Sequence, residues 1–238
     1  MAATFILTCE HAGNIIPPAY AHLFKAQEEL LYSHQAIDFG ALRLAKHLAA
    51  ATNLPLYYTT ISRLLVEANR SLDNEELFSA FTKDLPEKEK QQVLNNYYFP
   101  HREQVTQKIT EVVKAGNQVY HLAVHTFTPV KDKEVREAEI GILFDPARLL
   151  EVHFANLLQK ELLAQNPNRK VLYNSPYPGI ADGLPTYLRK QFSPHHYVGF
   201  ELEVNQKFFL NGEPEVWHTL ATDITSAIKR TIETLPKA

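Results

Sequence analysis

Thr4-Phe5-Ile6-Leu7-Thr8-Cys9, running straight into Glu10-His11-Ala12-Gly13-Asn14, is the stretch that decides the fold. A short, mostly apolar run cut off by polar residues and glycine has the pattern of a strand buried on both faces. The rest of the chain repeats the theme. Asp38 opens a helical stretch to about Ala51, with Leu42, Ala45 and Leu48 at helical spacing and Asp38 placed as its N-cap. Leu56–Thr60 reads as a second strand, followed by a polar loop from Ser62-Arg63 to Asn69-Arg70. Val119–Val124 is a third strand ending at His125, and Glu139–Phe144 a fourth ending at Asp145. Val171–Tyr173 precedes Asn174-Ser175-Pro176-Tyr177, and Tyr197–Val204 is the last strand. Between them, Ala147–Ala164 is an amphipathic helix carrying Leu150, Phe154, Leu157 and Leu158 on one side, and Thr219 to about Leu235 closes the chain as a helix. The charged segment Pro86–Gly116 reads as helical, split by Pro100 and capped by Gly116. Its role, lid or dimer surface, stays open. Strands alternating with helices predict an α/β protein, one domain over residues 1–238, with a mostly parallel mixed sheet flanked by helices.

Composition excludes several function classes. The chain has 24 Lys+Arg against 27 Asp+Glu, a formal net charge of −3, so it offers no basic footprint for nucleic acid or anionic membrane. No apolar run approaches the ~20 residues of a membrane span. Cys9 is the single cysteine, so there is no intrachain disulfide. The N-terminus lacks the charged n-region and the apolar length of a signal peptide, and a reducing, cytoplasmic setting is expected. A homo-oligomer is left open.

The strand ends carry the chemistry. In an open parallel sheet, the ligand crevice lies beyond the carboxyl ends of the strands. His11 and His125 sit just past buried strands; imidazole is a good Zn²⁺ ligand, and a catalytic zinc takes three protein ligands plus a water. Asp38 is the carboxylate to add as the third, with Glu10 a competing choice. The plainer reading leaves both histidines satisfied by backbone carbonyls, and the other nine histidines receive no functional role. Glu201 and Glu203 share one face of their strand, and one of them could act as general base. An edge strand with one wet face would equally explain them. Arg63, Arg70 and Arg136 lie in polar segments, where guanidinium forks suit carboxylate recognition but are also commonly just solvated. Cys9, two residues from His11, raises a thiolate nucleophile; the alternative is a small buried apolar group.

Taken in order, these segments resemble the N-formylglutamate amidohydrolase family. The matching elements are Cys9-Glu10-His11-Ala12-Gly13-Asn14 with Pro17, Asp38-Phe39-Gly40-Ala41, Ser62-Arg63-Leu64 and Asn69-Arg70. His125-Thr126-Phe127-Thr128-Pro129, Arg136 with Ile140-Gly141, Asn174-Ser175-Pro176-Tyr177 with Gly179, and Glu203-Val204-Asn205 complete the series. The resemblance implies a fold like that of zinc carboxypeptidases and phosphorylase/hydrolase-like proteins. It implies a single Zn²⁺ held by His11, Asp38 and His125, with Glu203 as general base and Asn174 stabilising the oxyanion. Asn69 and Arg70, with Arg63 and Arg136, would bind a small anionic N-acyl amino acid, N-formylglutamate yielding glutamate and formate. The family usually shows Asp-x-Asn-Arg where this chain has Glu67-Ala68-Asn69-Arg70, which bears on substrate identity. Competing readings are a zinc amidohydrolase for another N-acyl amino acid or a peptidoglycan-type amide, and a non-catalytic protein binding an anionic metabolite.

Overall fold

The opening run forms β1 (Ala3–Cys9), buried from Phe5 onward. The computed structural model describes residues 1–210 and 213–235. After β1 come a 3₁₀ turn at Pro18–Phe24, the one-turn α1 (Glu28–Leu31), then α2 (Ala41–Thr52) and β2 (Leu56–Tyr58). A long irregular segment leads to α3 (Glu87–Val93), a π turn at Leu94–Tyr98 and α4 (Phe99–Lys114). Then follow β3 (Gln118–Phe127), a hairpin of β4 (Val130–Lys131) and β5 (Glu134–Val135), and β6 (Ile140–Leu143). The chain ends with α5 (Leu149–Gln165), β7 (Val171–Tyr173), α6 (Leu184–Gln191), β8 (Tyr197–Asn205), α7 (Lys207–Leu210) and α8 (Pro214–Thr234). Among the described residues no helix is long and apolar enough to cross a membrane.

Six strands form one sheet in the order β2-β1-β3-β8-β6-β7. β2, β1, β3 and β8 run parallel, whereas β6 pairs antiparallel with β8 and parallel with β7. The sheet is therefore mixed and mostly parallel, as expected. Side-chain alternation sorts the strands between two helical layers. Phe5, Leu7 and Cys9, Tyr120, Leu122 and Val124, and Val198, Phe200, Leu202 and Val204 meet Leu44 and Leu48 of α2, Phe154 and Leu158 of α5, and Ile224 and Ile228 of α8. The opposite parity, Ile6, Val119 and Tyr197, packs on Val105 and Ile109 of α4 and Leu184 and Leu188 of α6. On that second face, toward the carboxyl ends of the strands, lie His125, Glu201 and Glu203. A third apolar cluster, Tyr20, Phe24, Leu64, Leu65, Val66, Leu77, Val93 and Tyr98, forms outside the sheet beneath the long β2–α3 segment.

Several local expectations change. Asp38 does not cap α2. Gly40, at φ +83, takes the N-cap position, a left-handed turn that glycine adopts without Cβ strain, and Ala41 donates back to the Asp38 carbonyl at 3.1 Å. The helical segment divides beside Pro100, as expected, but through a π turn and without a gap. Pro100 sits in the first turn of α4, directly after the π turn, where Phe99 N–H reaches Leu94 O in an i→i−5 bond. Gly116 ends α4 as expected: its N–H reaches Val113 O at 2.9 Å and Asn117 N–H reaches Val112 O at 3.2 Å, the double bond of a Schellman motif. The α3–α4 segment is anchored, with Val93, Tyr98, His101, Arg102, Val105, Ile109 and Val112 buried.

Candidate active site

Three buried side chains converge where β1 and β3 end. His11 follows β1 in a turn, and its carbonyl accepts Asp38 N–H at 3.2 Å, which brings the loop before α2 alongside it. His125 is the eighth residue of β3. Both rings turn Nδ1 to one oxygen, Asp38 Oδ2, at 3.2 Å for His11 and 3.0 Å for His125. The three ligand atoms lie within 4.8 Å of one another, all on buried residues. Two imidazole nitrogens and a carboxylate oxygen, gathered away from water, are a donor set suited to Zn²⁺. Glu10, the competing third ligand, lies on the other side: its Oε2 is 3.0 Å from His125 Nε2, off the line of a good hydrogen bond, and its Oε1 is 3.3 Å from His101 Nε2.

Glu203 is buried on β8 directly beside His125 in the strand register. Its Oε2 is buried without a hydrogen-bond partner among the described residues, a carboxylate oxygen left free at the cluster's side. Burial pushes its pKa up to about 8; His125 opposes this, while Asp38 and Glu201 add to it. Burial also pushes at Asp38, but His11 and His125 outweigh it and hold that carboxyl well below the usual range. Glu67 behaves likewise, burial being overcome by Arg63 and His11. Glu201 differs from Glu203: it is half-buried and accepts Asn69 Nδ2 at 3.1 Å.

The arginines are placed unequally. Arg63 directs Nε to Glu67 Oε2 at 2.5 Å, and only its Nη1 edge faces Asp38, at 3.7 Å. Arg70 donates to the carbonyls of Asn69 and Asp182, at 3.2 and 3.0 Å. Asn69 accepts Leu184 N–H at 2.7 Å, tying the loop to the start of α6. Arg136 reaches Tyr177 O–H at 3.0 Å and lies over its ring, centroid 5.0 Å away. Tyr177 belongs to the 174–183 loop, which presses on the sheet at Gly141, where a Cβ would collide with Ser175 O beside Glu203.

The strand directions bear on Asn174, and burial bears on Cys9. Asn174 follows β7, which runs against β1, β3 and β8, so it emerges at the level of Glu201 instead of beyond the crevice end. Its Oδ1 accepts Phe144 N–H and Gly179 N–H, both at 3.0 Å, so that oxygen clasps its own loop and only the Nδ2 donor remains for an oxyanion. Cys9 is fully buried, and burial raises its thiol well above the ordinary value, which removes the thiolate nucleophile. The reading of the sequence missed Glu67 as a contact of His11, at 2.5 Å, and His101 as a contact of Glu10. The altered acid of Glu67-Ala68-Asn69-Arg70 was the signal for the first; nothing local marks the second.

The family profile of N-formylglutamate amidohydrolase matches residues 3–210. No curated protein matches the chain. Among solved structures the chain is similar to the gene product Atu2144 from Agrobacterium tumefaciens, with 27% identity and a TM-score of 0.80, over 97% of this chain and 90% of that one. It is also similar in fold to N-formylglutamate amidohydrolase from Ralstonia eutropha JMP134, with 16% identity and a TM-score of 0.72, over 98% and 93% of the two chains.

Proposed function

The chain belongs to the N-formylglutamate amidohydrolase family, and from that premise we propose that it is a metal-dependent hydrolase of the amide of a small anionic N-acyl amino acid, N-formylglutamate first among them. The observation that carries the reading is the buried His11–Asp38–His125 cluster with the unpartnered Glu203 oxygen beside it. His11, Asp38 and His125 would hold one Zn²⁺, which when bound polarises the acyl carbonyl and acidifies water. Glu203 takes a proton from the attacking water as the new C–O bond forms, then delivers it to the departing nitrogen as the C–N bond breaks. Its buried, uncharged-leaning setting favours both transfers, because a base with a raised pKa is also a competent acid when protonated. Arg136 and the Nη1 edge of Arg63 that faces Asp38 provide positive charge for substrate carboxylates, while Arg70 and Asn69 tie the loop to the start of α6.

Metal content and turnover test this together. The purified chain is expected to hold about one zinc, to lose formate release on chelation and to regain it with Zn²⁺. Glu203→Gln is expected to keep the metal and lose roughly 10²–10⁴-fold in kcat. Activity indifferent to chelator, or wild-type turnover in Glu203→Gln, removes the mechanism. A panel of N-formyl, N-acetyl and muramoyl amides separates the substrate from its competitors.

A further inference from the structure

The outer ends of the two cluster histidines both face buried carboxylates. An imidazole has two nitrogens at opposite edges, and His11 and His125 both turn Nδ1 inward to Asp38 Oδ2. Outward, His11 Nε2 meets Glu67 Oε1 in a 2.5 Å hydrogen bond, whereas His125 Nε2 lies 3.0 Å from Glu10 Oε2 as a charge contact off the line of a hydrogen bond. The rings stand edge to face, centroids 4.9 Å apart at 66°. Each of the two outer carboxylates is buried and comes from a different part of the fold, Glu10 from the end of β1 and Glu67 from the β2–α3 segment. Each is fixed in turn. Glu67 is held by Arg63 Nε at 2.5 Å and by Asn69 N–H at 3.0 Å, and Glu10 by His101 of α4 at 3.3 Å.

We propose that Glu67, through its hydrogen bond, and Glu10, through its charge 3.0 Å away, are positioning residues that keep the proton of each histidine on Nε2, so that both rings offer Nδ1 to a divalent cation, with Arg63 and His101 holding the two carboxylates in place. A neutral imidazole carries one proton, and a carboxylate accepts it wherever the two meet; the lone pair then stands at the other nitrogen. The same contact makes that lone pair a better donor and stops the ring from turning, effects generally worth 10–100-fold in metal affinity. The assignment rests on the amidohydrolase reading and adds two residues to it that touch neither metal nor substrate. Arg63 then serves in two ways, since the edge facing Glu67 is structural and only the other edge remains for substrate.

The test is zinc affinity of the full chain by competition with a chromophoric chelator, for the wild type, Glu67→Gln and Glu10→Gln. Each variant is expected to bind zinc about 10–100-fold more weakly while remaining folded by circular dichroism. A second measurement needs no variant: long-range ¹H–¹⁵N spectra of the zinc-loaded wild type should show His11 and His125 protonated at Nε2 and metallated at Nδ1. Zinc on Nε2 of either ring, or wild-type affinity in both folded variants, overturns this proposal and leaves the amidohydrolase reading standing. A wild type that binds no zinc overturns both.

Discussion

His121 shares a face of β3 with His125, four residues before it, and its protonation ties the sheet's stability to pH. Its ring is fully buried, Nε2 2.8 Å from Thr8 Oγ1 and Nδ1 2.7 Å from Tyr197 Oη, so it bridges β1 and β8 across β3. Burial pulls its pKa from 6.5 down to about 4, against the pull of Glu10. The folded chain therefore keeps this ring neutral where the unfolded chain would protonate it. Stability from the neutral ring is fully present above pH 6.5 and is lost as the pH falls toward 4. At ~1.36 kcal/mol per pH unit the whole difference is about 3 kcal/mol, and about 2 kcal/mol of it is lost between pH 7 and pH 5. Urea unfolding of the chelator-treated wild type and of His121→Gln at those two pH values measures it. Glutamine can still donate and accept toward Thr8 and Tyr197 but cannot titrate. The variant is expected to be less stable at pH 7, and the gap should close by about 2 kcal/mol at pH 5. If both proteins lose stability in parallel, the neutral buried ring is refuted.

Three further outcomes follow from contacts described above or adjoining them. Arg189 bonds Glu151 twice at 3.0 Å and donates to the carbonyls of Gly179 and Gly199, so Arg189→Leu strands a buried carboxylate and should cost about 3–5 kcal/mol in urea unfolding; a loss below about 1 kcal/mol would mean the pair is not buried as described. Gly141→Ala places a methyl against Ser175 O, so it should destabilise by about 1–3 kcal/mol and lower turnover by displacing the 174–183 loop and Glu203; unchanged kinetics would show that the loop does not shape the site. Iodoacetamide should leave the native protein active and unlabelled, since the Cys9 thiol is buried. Rapid labelling without unfolding would contradict that.

Much of the sheet was legible because burial on both faces leaves a continuous apolar signature, and β1, β3, β7 and β8 begin and end within a few residues of where their composition places them. Strand direction leaves no such trace. The polarity of β6 and β7 is decided by how the chain crosses over, and that is why the level at which Asn174 emerges was not legible. His11, Asp38 and His125 were legible as residue types next to strand or helix boundaries. Their convergence depends on Gly40 turning the chain before α2 and on the backbone bond between His11 and Asp38. The partners themselves were not legible, since His11 stands 56 residues from Glu67 and His101 stands 91 from Glu10; only the altered acid at Glu67 marked a position of interest. Leu64-Leu65-Val66 looked like part of a polar loop; it is the centre of a separate apolar cluster that supports Arg63 and Glu67, and it has no periodicity to announce it.

The π turn at Leu94–Tyr98 sets the phase between two helices. Each residue advances an α-helix by about 100°, so the one extra residue in the i→i−5 turn sets the angle between the buried edge of α3 and that of α4. Val93 can then face the apolar cluster outside the sheet while Val105 and Ile109 face the sheet itself. Deleting a single exposed residue there, Asn95 or Asn96, would restore a uniform helix and rotate one half against the other by about that angle. Either α3 leaves its cluster or His101 swings away from Glu10. A helix that supplies none of the candidate metal ligands thus acts as a vernier for the carboxylate behind one of them, and its setting is fixed by a count of residues, not by their identity.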